Sequence, residues 1–137
     1  PGESDTDFEA TVELCTEVGF ARIHAFPYSL RGRTAAARMP DQVPVSIRKE
    51  RMRRLLALAK DAGVVFRARF EGTIRPVLWE ERRTIRDSAL WHGLTDNYIS
   101  VYVESDHSLA GRISPVALAE PMEDGFEATI LGAPAWS

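Results

Sequence analysis

The sequence predicts an α+β protein in which a helix–strand unit and a long helix precede a small closed antiparallel β-barrel. Apolar side chains recur at spacings near 3.6 in residues 6–18 and again in residues 46–70, as on the buried face of a helix. From residue 72 onward, apolar and polar residues alternate in several short runs, which is typical of strands. Several short strands within about 60 residues favour a closed barrel over an open sheet.

The N-terminal segment is predicted to form a helix followed by a strand. Thr6 and Glu9 fit a capping box, and Gly19 is a typical C-terminal stop. The apolar face of this helix is formed by Phe8, Val12, Cys15 and Val18. Residues 20–26 alternate apolar and polar side chains up to Pro27, which indicates a buried strand. One such unit cannot bury both faces, so we expect its natural partners upstream of Pro1, and either association between copies or a rearranged N-terminal segment.

A proline-rich loop and a long helix come next. Residues 27–45 contain Pro27, Pro40 and Pro44 and are predicted to be a loop, and a helix is expected from Ser46, its N-cap, to about residue 70. Five basic residues crowd the first turns of this helix: Arg48, Lys49, Arg51, Arg53 and Arg54. Because bases at a helix start oppose the helix dipole, we expect acidic groups to compensate them.

The remaining residues supply four strand candidates at 73–80, 98–104, 111–118 and 126–131, with a turn at Glu123-Asp124-Gly125. Pro76 within the first candidate indicates an edge or a bulge. Residues 84–92 are weakly patterned and are predicted to be a connection.

Composition excludes several classes of protein. The chain has 137 residues, one cysteine and three scattered histidines, which excludes a disulfide framework and any metal site built from several local cysteines. No uncharged run exceeds ten residues, so a membrane span is excluded. The chain begins at Pro1 without a signal region, so we expect a piece of a longer cytoplasmic protein. No self-sufficient active site is evident in the residues.

The net charge of −3 conceals a basic middle between acidic ends. Residues 1–20 carry six acidic and no basic side chains, residues 21–70 carry twelve basic and three acidic ones, and residues 71–137 carry five basic and eleven acidic ones. A basic block can mark an anionic partner. The plainer interpretation, favoured on charge alone, is that these bases meet the acidic segments beside them.

Three stretches of the sequence resemble one family. Pro1-Gly2-Glu3 with Asp5, Asp7 and Phe8 resembles a segment of radical-SAM enzymes. The run Arg22-Ile23-His24-Ala25-Phe26-Pro27-Tyr28-Ser29, then Arg31, Thr34 and residues 36–44, looks like the signature of the radical-SAM tRNA methylthiotransferases, especially the threonylcarbamoyl-adenosine branch. Gly93-Leu94-Thr95-Asp96-Asn97-Tyr98 is similar to that family's TRAM domain, a small OB-like RNA-binding barrel.

The resemblance has one local departure. Family members usually have proline where this chain has Leu30, Gly32 and Ala35, and glycine where it has Arg33. The backbone φ angles of this loop are therefore less restricted, and the loop carries an extra positive charge.

The resemblance implies a division of the chain and a parent activity. Residues 1–40 would end a radical-SAM α/β barrel, residues 41–70 would be a connecting basic helix, residues 71–132 the TRAM barrel and residues 133–137 a tail. The parent enzyme would add a 2-methylthio group to threonylcarbamoyl-adenosine next to the anticodon of tRNA, using S-adenosylmethionine and two 4Fe–4S clusters. This chain lacks the cluster cysteines, so alone it is expected to be inactive and to hold no cofactor, catalytic residue or metal ligand.

The implied site residues fall into two groups. The S-adenosylmethionine side is implied to include Gly2, Glu3, His24, Phe26 and Tyr28. Contacts to tRNA are expected from Arg48, Lys49, Arg51, Arg53 and Arg54 on the helix and from Arg82, Arg83, Asn97 and Tyr98 on the barrel. Arg86 is a further candidate for phosphate contact, and Trp91, Tyr98 and Tyr102 are candidates for stacking on unpaired bases. For both tyrosines, ordinary barrel packing is an equal alternative.

Two other functions remain open at this point. The chain could be a stand-alone, non-catalytic RNA-binding module, or its barrel could be a structural lid on a catalytic domain whose tRNA contacts lie elsewhere. The acidic balance of residues 71–137 leads us to expect weak RNA binding by this chain alone.

Overall fold

The structure is a computed structural model that describes residues 1–85, 87–122 and 124–132. The chain divides into two compact units, residues 1–66 and 67–137, which are described separately. The first contains α1 (Asp5–Val18), a short 3₁₀ helix (Ala36–Arg38) and most of α2 (Val45–Ala68). The second contains β1 (Ile74–Ile85), β2 (Ser88–Thr95), β3 (Ser100–Val103), β4 (Ile113–Pro121) and β5 (Gly125–Ile130). The predicted α+β composition is confirmed. Among the described helices, none has the length and apolar character needed to cross a bilayer.

Helix α1 begins two residues earlier than the sequence predicted. The backbone of Ser4 is extended, its hydroxyl accepts the Asp7 N–H at 3.2 Å, and the Asp7 carboxylate accepts the Ser4 N–H at 2.9 Å. The predicted capping box of Thr6 and Glu9 is therefore wrong, because Ser4 and Asp7 form the two hydrogen bonds of that motif instead. Gly19 ends the helix as predicted, with a left-handed φ of 63° and its N–H donated to the Cys15 carbonyl.

The strand predicted for residues 20–26 is absent, and the segment has no regular secondary structure. A strand needs a neighbour for its backbone hydrogen bonds, and no described strand pairs with this segment. Phe26, which the alternating pattern placed on a buried face, is 83% exposed. Association between copies through this segment stays a prediction.

Helix α2 follows Pro44, whose carbonyl accepts the N–H of Arg48. The helix therefore starts one residue before Ser46, and the predicted Ser46 N-cap is wrong. On its first turns, Arg51 and Arg54 lie over the ring of Phe8 from α1, with their guanidinium carbons 5.2 and 5.0 Å from the ring centroid. Phe8 and Arg51 are thereby both buried.

The second unit is a closed barrel with the strand order β1-β2-β3-β5-β4, which confirms the predicted small barrel. The prediction of an entirely antiparallel barrel is wrong at one pair, since β3 and β5 run parallel while all other neighbours are antiparallel. The prediction of a connection at residues 84–92 is wrong, since β1 continues to Ile85 and pairs with β2 in a hairpin. Strand β2 lacked a sequence signal because Trp91, His92 and Gly93 are all buried, so apolar and polar residues do not alternate along it.

The barrel core is formed by side chains from all five strands. Its fully buried members include Val77, Trp79, Val101, Val116, Leu118 and Phe126. Trp91 and Tyr102 are also buried, with 7% and 2% of their surface exposed. The expectation that they stack on RNA bases is therefore wrong, and barrel packing is the correct interpretation for Tyr102. Two other predicted features, Arg86 and the Glu123 position of the turn, lie outside the described residues, as does the tail at 133–137.

A buried polar cluster lies around His92, whose ring centroid is 5.3 Å from that of Tyr102. The Nε2 atom of His92 is 3.4 Å from the Ser100 hydroxyl, and its Nδ1 atom is 3.5 Å from the Glu80 carboxylate. The Tyr102 hydroxyl donates a hydrogen bond of 2.8 Å to Asp124. The cluster therefore joins β1, β2 and β3 to the residue that precedes β5.

The buried histidine makes the stability of the barrel dependent on pH. Burial lowers the pKa of His92, Arg83 adds to this, and the acidic Glu80, Asp124 and Glu81 oppose it. In the unfolded chain the imidazole takes up a proton near pH 6.5. The stabilisation is therefore complete above about pH 6.5 and is lost as the pH falls through the lowered pKa of the folded state.

We expect the difference in unfolding free energy between the wild type and a His92→Gln variant to fall between about pH 7.5 and pH 5. Urea unfolding at several pH values measures this difference. A difference that stayed constant, or grew, as the pH fell would contradict the neutral buried state of His92.

Candidate nucleic-acid interface

The β2–β3 turn holds an exposed aromatic ring on the barrel. The Thr95 hydroxyl donates to the Asn97 side-chain carbonyl at 2.6 Å and accepts the Ile99 N–H at 2.9 Å. The Tyr98 N–H donates to the Thr95 carbonyl at 3.0 Å. These bonds hold Tyr98 at a left-handed φ of 62°, with 73% of its surface exposed.

This arrangement is unfavourable for a turn that serves folding alone. A left-handed backbone costs a residue with a Cβ atom about 1–2 kcal/mol, and an exposed aromatic ring gains no burial energy in return. Barrel packing is therefore excluded as the role of Tyr98. An exposed ring on a fixed turn is suited to stacking on an unpaired base.

Sequence reasoning missed Thr95 as the residue that organises this turn. The signal was present, since a threonine followed by Asp96-Asn97 is typical of turns closed by side-chain hydrogen bonds. The Asn97 side-chain carbonyl is occupied by Thr95, so Asn97 has a structural contact in this turn. Its predicted contact with RNA stays a prediction.

The arginines of the barrel differ in how far they are neutralised. Arg83 pairs with Glu81 at 2.9 Å, and Arg75 lies 3.4 Å from Asp96 and over the ring of Phe70. Arg82 lies over the Trp91 ring, with 5.5 Å from its guanidinium carbon to the centroid, and donates to the Ser105 carbonyl. Among the described residues Arg82 has no carboxylate partner, so its charge is the least neutralised of these three.

The basic residues at the start of α2 meet the acids of the N-terminal segment. Arg51 pairs with Glu3 and Asp5, and Arg54 pairs through both guanidinium nitrogens with Glu9. The hydrogen bond from Arg54 lowers the pKa of the Glu9 carboxyl. Acidic groups therefore compensate the bases at the start of α2, as expected from the helix dipole. The basic block meets the acidic N-terminal segment, as the plainer interpretation of the charge pattern expected.

The other three bases at the start of α2 differ in their contacts. Arg53 pairs with Glu50 within the helix and lowers the pKa of that carboxyl. Arg48 donates to the Tyr28 carbonyl at 2.6 Å. Lys49 is exposed and forms no ion pair with any described residue. Contacts of all five bases with tRNA stay predictions.

Three of the five residues expected on the cofactor side line one pocket of about 310 Å³ in the first unit, namely Glu3, Phe26 and Tyr28. Its apolar wall includes Phe8, Val43, Met52 and Leu55. Arg48 also lines it, as does Arg51, whose charge is met by Glu3 and Asp5. The Tyr28 hydroxyl is buried and has no hydrogen-bond partner among the described residues. Gly2 and the exposed His24 do not line this pocket.

Within residues 1–85, 87–122 and 124–132, no three His, Cys, Asp or Glu side chains lie close enough together to hold a metal ion.

Comparison with known proteins finds relatives whose names describe enzymes that modify tRNA. No protein-family model matches it. It is 33% identical over 119 residues to a threonylcarbamoyladenosine tRNA methylthiotransferase of Bacillus subtilis and 34% identical over 127 residues to one of Thermotoga maritima. It is also 34% identical over 134 residues to a tRNA-2-methylthio-N(6)-dimethylallyladenosine synthase of Wolinella succinogenes.

These matches cover 86%, 91% and 98% of this chain respectively, but only 26%, 28% and 30% of the relatives. The chain therefore spans less than a third of the length of the curated relatives it matches. Its homologues are tRNA methylthiotransferases of two substrate groups, and the near-equal identities do not separate the two.

Proposed function

We propose that this chain is part of a tRNA methylthiotransferase, in which it binds tRNA and forms an edge of the catalytic domain. The identities of 33–34% over most of the chain support this proposal. The substrate we propose is threonylcarbamoyl-adenosine next to the anticodon, on the strength of the resemblance of residues 22–44 to that branch. The parent enzyme would act in the cytoplasm, where its tRNA substrate is found.

The observation that carries tRNA binding is the exposed Tyr98 ring on the turn fixed by Thr95. A small closed barrel with such a turn suits the TRAM type of RNA-binding domain that the sequence resembles. Stacking on an unpaired base contributes about 1–3 kcal/mol per base and tolerates any base, since each has a flat face. Barrel arginines such as Arg82 would add contacts to phosphate.

The pocket in the first unit fits the proposed S-adenosylmethionine side of the enzyme. Its apolar wall and the unpartnered Tyr28 hydroxyl suit a ligand with both flat and polar parts, and Arg51 fixes the orientation of the Glu3 carboxylate. S-adenosylmethionine and the 4Fe–4S clusters would supply the radical and the methylthio chemistry. Cys15 is the only cysteine of this chain, so other parts of the enzyme would hold the clusters.

A stand-alone RNA-binding module is not favoured, because the relatives carry the names of enzymes and the similarity extends over both units.

We expect a Tyr98→Gly variant to lose about fivefold to a hundredfold in affinity for a tRNA anticodon stem-loop. Glycine accepts the left-handed backbone without strain, so the free energy of unfolding should stay the same or rise. Fluorescence anisotropy at low salt measures the affinity, and urea unfolding measures the stability. A Tyr98→Phe variant is the matched control and should bind like the wild type. Unchanged affinity of the glycine variant, or no binding by the wild type, would overturn the proposal.

A further inference from the structure

The loop before α2 is shaped by its own hydrogen bonds. The Arg31 carbonyl accepts both the N–H and the hydroxyl of Thr34, at 3.0 and 2.9 Å. The Thr34 hydroxyl in turn accepts the Ala37 N–H at 3.3 Å, and the Arg38 N–H donates to the Ala35 carbonyl at 2.9 Å. Two consecutive turns thus bring residues 31–38, here called the arginine loop, into one compact segment.

A side chain from outside the arginine loop fixes its far end. The Gln42 amide donates to the Ala36 carbonyl at 2.8 Å and to the Met39 carbonyl at 3.0 Å. The backbone that presents the loop side chains is therefore ordered before any partner binds, which lowers the entropy cost of binding.

The three arginines of this loop, Arg31, Arg33 and Arg38, are exposed. Their guanidinium groups form no ion pair or hydrogen bond with any residue that the structure describes. Asp41 is the only acidic residue between Arg22 and Lys49, so the loop also lacks acidic neighbours in sequence. In contrast, Arg51, Arg53 and Arg54 each have a carboxylate partner.

We propose that Arg31, Arg33 and Arg38 form a phosphate-binding surface for the tRNA backbone. The proposal rests on the proposed function, and it moves the main phosphate contact of the first unit from the start of α2 to the arginine loop. A guanidinium matches the geometry of a phosphate with two parallel hydrogen bonds. The loop arginines can form these bonds directly, whereas those of α2 would first have to leave a carboxylate. An acidic protein surface is the competing partner for the same charges.

The test measures how tRNA affinity depends on salt in a triple variant, Arg31→Gln, Arg33→Gln and Arg38→Gln, of this chain. Each phosphate contact contributes about 0.7–0.9 to the slope of log affinity against log salt, so the slope should fall by about 2–3. Substitution of the same three positions by lysine keeps the charge and should keep most of the slope. A Lys60→Gln, Asp61→Asn double variant changes two exposed positions of α2 without changing the net charge, and it should bind like the wild type.

Three other outcomes of the salt titration would contradict the inference in different ways. If the wild type binds tRNA and the glutamine variant has the same slope, the arginine loop does not bind phosphate, while the proposed function stands. If the glutamine variant loses affinity with an unchanged slope, the loop acts through its shape and not through its charges, and the inference is overturned. If the wild type does not bind at low salt, both the proposed tRNA binding and this inference fail. Circular dichroism confirms that the variants are folded.

Discussion

A Gly125→Ala substitution is expected to separate β3 from β5, the two neighbouring strands of the barrel that share the fewest paired residues. A Cβ atom at this position would clash with the carbonyl oxygen of Ser100 and lie 2.6 Å from its carbonyl carbon. Gly125 and Ser100 are paired across β5 and β3, and this parallel ladder has only three residue pairs. The clash is with backbone, so it cannot be relieved without separating the two strands.

We expect this substitution to cost about 3 kcal/mol or more, which is a large share of the stability of a small domain. Urea unfolding followed by tryptophan fluorescence measures the loss, since Trp79 and Trp91 are buried in the barrel. Gly32→Ala is the matched control, because a Cβ atom there meets nothing within 4 Å. A change of less than about 0.5 kcal/mol for Gly125→Ala would show that the two strands are not this close.

A Thr95→Val substitution is expected to lower both barrel stability and tRNA affinity. Valine keeps the shape of threonine but removes the hydroxyl that accepts the Ile99 N–H and donates to Asn97. Leaving a buried N–H without its partner costs about 1–3 kcal/mol. The turn would then no longer favour the left-handed backbone of Tyr98, so the ring would lose its fixed position.

A Thr95→Ser variant restores the hydroxyl and separates this effect from a change of packing. It should recover most of the stability and of the affinity for the anticodon stem-loop, measured by urea unfolding and by anisotropy. If Thr95→Val lowered the free energy of unfolding but left the affinity for the anticodon stem-loop unchanged, the turn would not position Tyr98 for RNA. If serine behaved like valine, the hydroxyl network would not be the cause.

Several elements were predictable from the sequence because their signal is local. Gly19 marked the end of α1, and the 3.6-residue spacing of apolar side chains located α1 and α2 to within a few residues. Alternation located the strands now seen as β4 and β5, since each has one face in the core and therefore a period of two. Strand β3 was also predicted, although all four of its residues are buried. Tyr98 was named as a candidate RNA contact because residues 93–98 resemble an RNA-binding barrel.

The prediction of strands from the sequence failed where burial or strand pairing depends on residues far away in the chain. Strand β2 has buried residues on both faces and so gave no alternation. Residues 20–26 alternate clearly but form no strand, because alternation specifies which faces a strand would have and not whether a neighbour is there to pair with it.

Local patterns in the sequence are enough to predict the two helices and the small barrel, and they contain the stretches that resemble the relatives. Which charges are available to a partner depends on how the folded segments meet. Arg51 and Glu3 are 48 residues apart in the chain, and Arg54 and Glu9 are 45 apart, so the charge pattern could suggest neutralisation but not which base pairs with which acid. The fold alone also set Gly125 against Ser100 and placed Trp91 and Tyr102 inside the barrel while Tyr98 stays outside. The physical reason is that periodicity records the environment of each segment, whereas ion pairs and close contacts depend on which segments meet.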